Sequence, residues 1–237
     1  KTGVSYPATY PKILYSGDFL EITNLPWNYL FVWIAITTPI LYLIFFLIGI
    51  LPLFKKKNIN DYYIFALAVV PLIVAIFFAK TLINGWRHFY FIYPFILYIS
   101  ILGINFIFKY LKRKSILYFL LLTLILLSIS KTAIWMSINH PYQMVYFNFL
   151  AGKGVQDKFE LDYWGLSNKD AIRYIINNDS SDSINVFGMS RTRLNFTMFI
   201  LNTKERNRIN IVNNEKEADY IITNYNSLLR RNNFLNR

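Results

Sequence analysis

The sequence predicts a membrane region of four transmembrane helices followed by a small extracytoplasmic α/β domain. Three observations lead there. Long apolar blocks fill the chain before residue 137, short lysine-rich clusters separate them in pairs, and beyond about residue 139 charges of both signs are interspersed. Of the 237 residues, 55% are hydrophobic, 19% aromatic and only 16% charged, against about 25% charged in an ordinary soluble domain. Disordered and collagen-like chains are excluded, and an ordinary soluble enzyme is disfavoured. With no cysteine and only His88 and His140 as histidines, disulfides, thiolate metal sites and multi-histidine metal sites are ruled out.

The domain division follows hydropathy: 1–29 an extracytoplasmic loop, 30–136 the four-helix membrane region, 137–237 the extracytoplasmic α/β domain. A span needs roughly 17–25 mostly apolar residues, because hydrocarbon offers backbone groups no partner but each other. Leu30–Phe54 and Tyr62–Ala79 carry no charge, His88–Phe108 is apolar after its first residue, and Ser115–Ser130 extends to Trp135 if Lys131 snorkels. Pro39, Pro52, Pro71 and Pro94 fall in or at the ends of these spans, where membrane helices tolerate kinks.

The net charge of +12 is informative through its placement. Lys55-Lys56-Lys57 joins spans one and two, and Lys109 with Lys112-Arg113-Lys114 joins spans three and four. Nucleic acid is not an expected partner, since these cations flank membrane-length segments and form no face on a soluble domain. The positive-inside rule puts both clusters in the cytoplasm. The first loop, the Lys80–Arg87 turn and the tail then face outside. Trp27, Tyr29, Trp33, Trp86, Tyr90 and Trp135 mark the outer ends as interface aromatics. The expected protein is multi-pass, with membrane lipids as partners.

In the tail, Ser167-Asn-Lys-Asp170 reads as a helix start with Ser167 as N-cap, followed by Ala171, Ile172, Ile175 and Ile176 at helical spacing. Ser183–Gly188, Arg208–Val212 and Ala218–Thr223 read as strands, and Thr192–Leu201 as a helix. A small, partly parallel sheet is expected. Arg230–Arg237 is expected to fray.

Several stretches can carry chemistry. In Asn84-Gly-Trp-Arg-His-Phe-Tyr-Phe-Ile-Tyr-Pro94, Arg87 and His88 stand where the chain enters the membrane. A guanidinium there suits a lipid phosphate, and Lys80 is placed to join it. The alternative is that Arg87 and Lys80 only snorkel to headgroups. Leu25-Pro-Trp-Asn-Tyr-Leu30 reads as an interface anchor, and Asp18 and Glu21 as solvated carboxylates unless they serve as bases or metal ligands. In Phe159-Glu-Leu-Asp-Tyr-Trp-Gly165, an extended chain points Glu160 and Asp162 to one face. There they would bind a sugar hydroxyl, a divalent ion or an arginine, with Tyr163 and Trp164 as further acceptor or sugar contacts. A structural junction is the competing reading. The sequons at Asn178 and Asn195 are weak signals in an asparagine-rich chain. No catalytic residue is assigned: the chain has no glycine-rich phosphate loop, no Ser–His–Asp pattern and no HExxH.

The strings LPWNYL–WIAITTP (25–39), NGWRHFYFIYP (84–94), HPYQMVYFN–LAG (140–152) and FELDYWGLSNKDA (159–171) resemble the C-terminal half of bacterial GT-C type membrane glycosyltransferases, akin to the protein-mannosyltransferase and aminoarabinose-transferase families. The resemblance runs from about residue 15 to 225. It implies a larger GT-C bundle of which this chain supplies the last four helices and the tail. It also implies location in the bacterial inner (cytoplasmic) membrane, a polyprenyl-phosphate-linked sugar as donor, transfer on the outer face, and an N-terminal transmembrane half as partner. Those enzymes carry their catalytic acid in the first outer loop, which has no counterpart here, so the chain alone is expected to be inactive. No cofactor is assigned, and a divalent cation in the intact enzyme stays open. Arg87, with His88 and Lys80, is implied to hold the lipid phosphate. The chain begins at Lys1 and not at Met, so the natural protein is expected to continue upstream. The competing reading is a non-enzymatic membrane anchor whose outer domain binds a partner or cell-wall glycan.

Overall fold

The computed structural model describes residues 12–56, 58–78, 82, 84–113, 115–189 and 194–224. Lys57, Lys80, Lys114, the start of the expected Thr192–Leu201 helix and the expected frayed end fall outside them. The chain is mostly helical and divides into two compact units, one of residues 22–155 and one that combines 1–21 with 156–237. Contacts thus group the chain differently from hydropathy.

The membrane unit contains α1 (Tyr29–Thr37), α2 (Ile40–Lys56), α3 (Ile59–Phe78), α4 (Tyr93–Tyr110) and α5 (Ile116–Ile138). A 3₁₀ segment, Arg87–Ile92, runs directly into α4. Three helices are long and apolar enough to cross a membrane, and the α1–α2 pair passes the same test if counted as one span. The expected single helix over 30–54 is corrected here: it breaks at Thr38-Pro39, and the two pieces meet at 119°. Proline supplies no N–H and its ring collides with the preceding turn, so the ladder stops. Pro52 and Pro71, by contrast, lie inside α2 and α3.

The tightest packing joins α2 to α4. A Cβ on Gly49 would lie 1.9 Å from the Ile99 carbonyl oxygen, and one on Gly103 would lie 2.1 Å from that of Phe45. Only glycine lets these backbones touch, the usual device where lipid removes the hydrophobic drive for helix association. Ser100 shares its hydroxyl between the Tyr42 and Ile96 carbonyls, at 2.9 and 2.8 Å. α5 starts on a Ser115 cap, whose side chain accepts from the Tyr118 N–H, and none of its residues is buried.

The second unit is the lobe. It opens with a hairpin of β1 (Lys12–Tyr15) and β2 (Asp18–Glu21). Ser16 and Gly17 both have positive φ, 53° and 96°, the two-residue turn whose twist matches antiparallel strands. Sequence reading left this hairpin as loop. Its partner is the polar stretch after residue 156: Tyr15 bridges to Phe159, and the Gly17 N–H donates to Lys158.

The expected strands appear as β3 (Ile184–Gly188), β4 (Ile209–Val212) and β5 (Tyr220–Ile222), with β3 central and parallel to both neighbours. The helices are α6 (Ser167–Asn178), α7 (Leu194–Met198) and the unanticipated α8 (Thr203–Arg208). The expected Thr192–Leu201 helix is shorter than read, ending at Met198. There the Arg206 guanidinium takes the Met198, Phe199 and Leu201 carbonyls and closes the chain into a turn. α8 begins with a capping box between Asn202 and Glu205. The core is Ile172, Ile175, Ile184, Val186, Leu194, Leu201, Ile209 and Ile222.

Candidate functional site

The motif residues of the membrane unit converge around α1. Its break at Pro39 leaves carbonyls at the end of α1 without helical donors. Asn148 supplies them: its side chain donates to Ala35 and Thr38, each at 2.6 Å, and its N–H to Ile36 at 2.8 Å. Trp86 is buried and its indole N–H donates to Thr37 Oγ1 at 2.9 Å, while the Thr37 hydroxyl donates to the Trp33 carbonyl at 2.6 Å. The Tyr29 hydroxyl accepts from the Gly85 N–H at 3.1 Å. Gly85, at φ 68°, lies flat against Trp33, where a Cβ would come within 3.1 Å of the indole. Trp33 in turn packs on Phe147 at 5.9 Å. Three of the strings that carry the resemblance therefore lock to one another here. Beside them is a cavity of about 150 Å³, lined by Thr23, Pro26, Trp27, Tyr29, Ala75 and Leu82 among others.

Arg87 and His88 follow at once from this platform. They open the 3₁₀ segment that leads into α4, with His88 exposed and Arg87 half-buried. Arg87 Nε–H donates to His88 Nε2 at 3.2 Å, so the imidazole acts as a neutral acceptor through that nitrogen. The start of the helix adds the positive end of its dipole and N–H groups not used inside the turn. The arrangement is competent to hold a phosphate or another compact anion. Lys80, the third residue expected here, lies outside the described residues.

Glu160 and Asp162 do not form an exposed acidic face. Both are buried, at 5% and 7% exposure. Asp162 accepts from the Leu166 N–H, the Ser167 N–H and the Ser167 hydroxyl, at 3.0, 2.8 and 2.5 Å. It therefore caps α6, and the expectation that Ser167 is the N-cap is corrected: Ser167 is the first helical residue and a donor. Capping engages both Asp162 oxygens. Among the described residues no three histidine, aspartate or glutamate side chains come together as a metal cluster. Tyr163 and Trp164 stack obliquely at 5.4 Å, and Trp164 is exposed.

Sequence reading missed Asp61. It stands in the first turn of α3, is buried, and accepts the Tyr98 hydroxyl at 2.8 Å. The signal was available as a lone acid at the edge of an apolar block. Comparison with protein-family models, curated proteins and solved structures finds no match to this chain.

Proposed function

We propose that the chain is the C-terminal part of a bacterial GT-C type membrane glycosyltransferase. In this reading it handles a polyprenyl-phosphate-linked sugar on the outer face of the cytoplasmic membrane, and the sugar passes to an acceptor only in the intact enzyme. The observation that carries the reading is the Arg87–His88 pair at the start of a membrane-length helix, seated on the interlocked Tyr29, Trp33 and Trp86 platform. The lipid phosphate is the leaving group and gains charge as the glycosidic bond breaks. A planar, permanently charged guanidinium positioned in advance is worth most at that moment.

Topology supports the same reading. The hairpin of residues 12–21 and the stretch after 156 belong to one unit, which in this reading stands on one side of the membrane. The chain between them then crosses an even number of times. Three straight helices make an odd count, and counting the bent α1–α2 pair as one crossing makes four. α2 alone has 17 residues, at the lower end of the roughly 17–25 that a span requires. On this reading the basic clusters are cytoplasmic, and Arg87, His88 and the lobe are assigned to the outer face.

The test is donor binding by the chain reconstituted in lipid nanodiscs, with polyprenyl phosphate as probe. Arg87→Ala is expected to weaken binding about tenfold, and Arg87→Lys to recover only part of it because an ammonium does not reproduce the bidentate fork. In the intact enzyme, Arg87→Ala is expected to lower transfer about 10²–10³-fold at equal expression, the scale for losing one charge-stabilising donor. Unchanged binding and transfer would leave the anchor reading in its place.

A further inference from the structure

The basic end of the membrane unit holds a second polar site that the proposal above does not use. α2 ends there, α3 begins, α4 ends and α5 begins. A cavity of about 520 Å³ opens among them, within the roughly 300–1,000 Å³ range of ligand sites; its lining includes Asp61, Asn105, Phe106, Lys109, Arg113 and Tyr118. Asp61 is buried, 6% exposed, whereas Lys109 and Arg113 are exposed. The Lys55 ammonium lies over the Phe106 and Tyr110 rings at 5.1 and 5.9 Å, adding positive charge at the same end.

A carboxylate in the first turn of a membrane-length helix is costly unless a positive group meets it. The Tyr98 hydroxyl bonds one oxygen and brings no charge. This lining suits a ligand with an ammonium to face Asp61, an anion to face the basic Lys109 and Arg113, and an apolar body for the wall around Phe106. A purely anionic headgroup would meet repulsion from Asp61. A trimethylated ammonium has no N–H to give it. We propose that this cavity binds the headgroup of an amine-bearing phospholipid, with the phosphate against Lys109 and Arg113 and the primary ammonium against Asp61.

The experiment measures lipid binding to the full chain by native mass spectrometry. The probes are phosphatidylethanolamine, phosphatidylcholine and phosphatidylglycerol with matched acyl chains. The unaltered chain is expected to prefer phosphatidylethanolamine about tenfold over either competitor, the scale of one charge-assisted hydrogen bond. Asp61→Asn keeps an oxygen for Tyr98 and is expected to level phosphatidylethanolamine with phosphatidylcholine. Arg113→Gln, at an exposed residue, is expected to weaken phosphatidylethanolamine and phosphatidylglycerol alike by about fivefold. Soluble phosphoethanolamine is expected to compete poorly, and competition at concentrations equal to the lipid would overturn the lipid assignment. Equal binding of phosphatidylethanolamine and phosphatidylcholine by the unaltered chain overturns the proposal outright, whatever the fate of the variants. A preference that survives Asp61→Asn overturns it as well. Polyprenyl-phosphate binding through Arg87 is read separately and is unaffected by either result.

Discussion

The membrane unit and the lobe are held together by opposite means. In the lobe, isoleucine, leucine and valine side chains from α6, α7, the turn after it and three parallel strands fill one core, and removing them from water is the driving force. In the long helices of the membrane unit most residues are apolar, so apolarity cannot choose partners. Two helical segments show this: the apolar 18-residue stretches within Arg87–Tyr110 and Ile116–Ile138 share a mean hydropathy of 2.0, yet 28% of the first stretch is buried and none of the second. What separates them is Gly103, Ser100 and the facing Gly49. Hydropathy states where a helix resides, and small residues state what it touches.

That contrast can be attacked from both sides. The largest effect is expected in the lobe. Ile172→Ala empties a fully buried position and should cost about 2–5 kcal/mol, read as faster hydrogen exchange across β3. In the membrane unit Gly49→Ala adds a single methyl group, yet it must push α4 away from a carbonyl 1.9 Å distant. We expect a loss of about 1–3 kcal/mol, measured as a lower thermal midpoint in detergent. The matched Ser130→Ala in α5, at an exposed position of a helix with no buried residue, should change it by less than about 0.5 kcal/mol. If the two variants behaved alike, the distinction between residence and packing would fail.

The smallest effect concerns pH and should be confined to the lobe. Asp179 is held below the usual value of 3.8 first by the Ser181 side chain, then by the Ser181 N–H and the bond from the Tyr220 hydroxyl, all of which favour its charged form. The same bond pushes the Tyr220 hydroxyl above 10.0. Because the aspartate is depressed in the folded state, its contribution is present above 3.8 and fades as the pH falls through the folded value. Because the tyrosine is raised, its contribution is present below 10.0 and fades as the pH rises beyond it. Hydrogen exchange of β5, corrected for intrinsic rates, should show slight loosening at both extremes. Tyr220→Phe should remove the alkaline arm and reduce the acid one.

The apolar blocks and the three β-branched strands were legible because each is a local pattern. The break at Pro39 was legible as a proline, but not as a turn of 119°, since the angle depends on what meets α1, and Asn148 lies 110 residues from Thr38. The Ser16-Gly17 turn offered a hairpin signal, but its strands are four residues each and become convincing only beside Phe159. Glu160 and Asp162 were misplaced by assuming an extended chain; the backbone turns at Tyr163, and Asp162 folds onto the helix that follows. Asp61 escaped notice because its partner Tyr98 is 37 residues away in another helix.

The turn before α4 has a chemical corollary. Asn84-Gly85 is the dipeptide most prone to lose ammonia, by attack of the glycine nitrogen on the asparagine amide carbon to close a five-membered imide. Here that nitrogen is buried and donates its hydrogen to Tyr29, and both residues are held at positive φ, 56° and 68°. The nucleophile is engaged and the backbone cannot swing into the ring geometry. The clasp that seats Trp33 thus also protects the entrance to α4 from ageing, so that a weak link of the free chain becomes durable once folded.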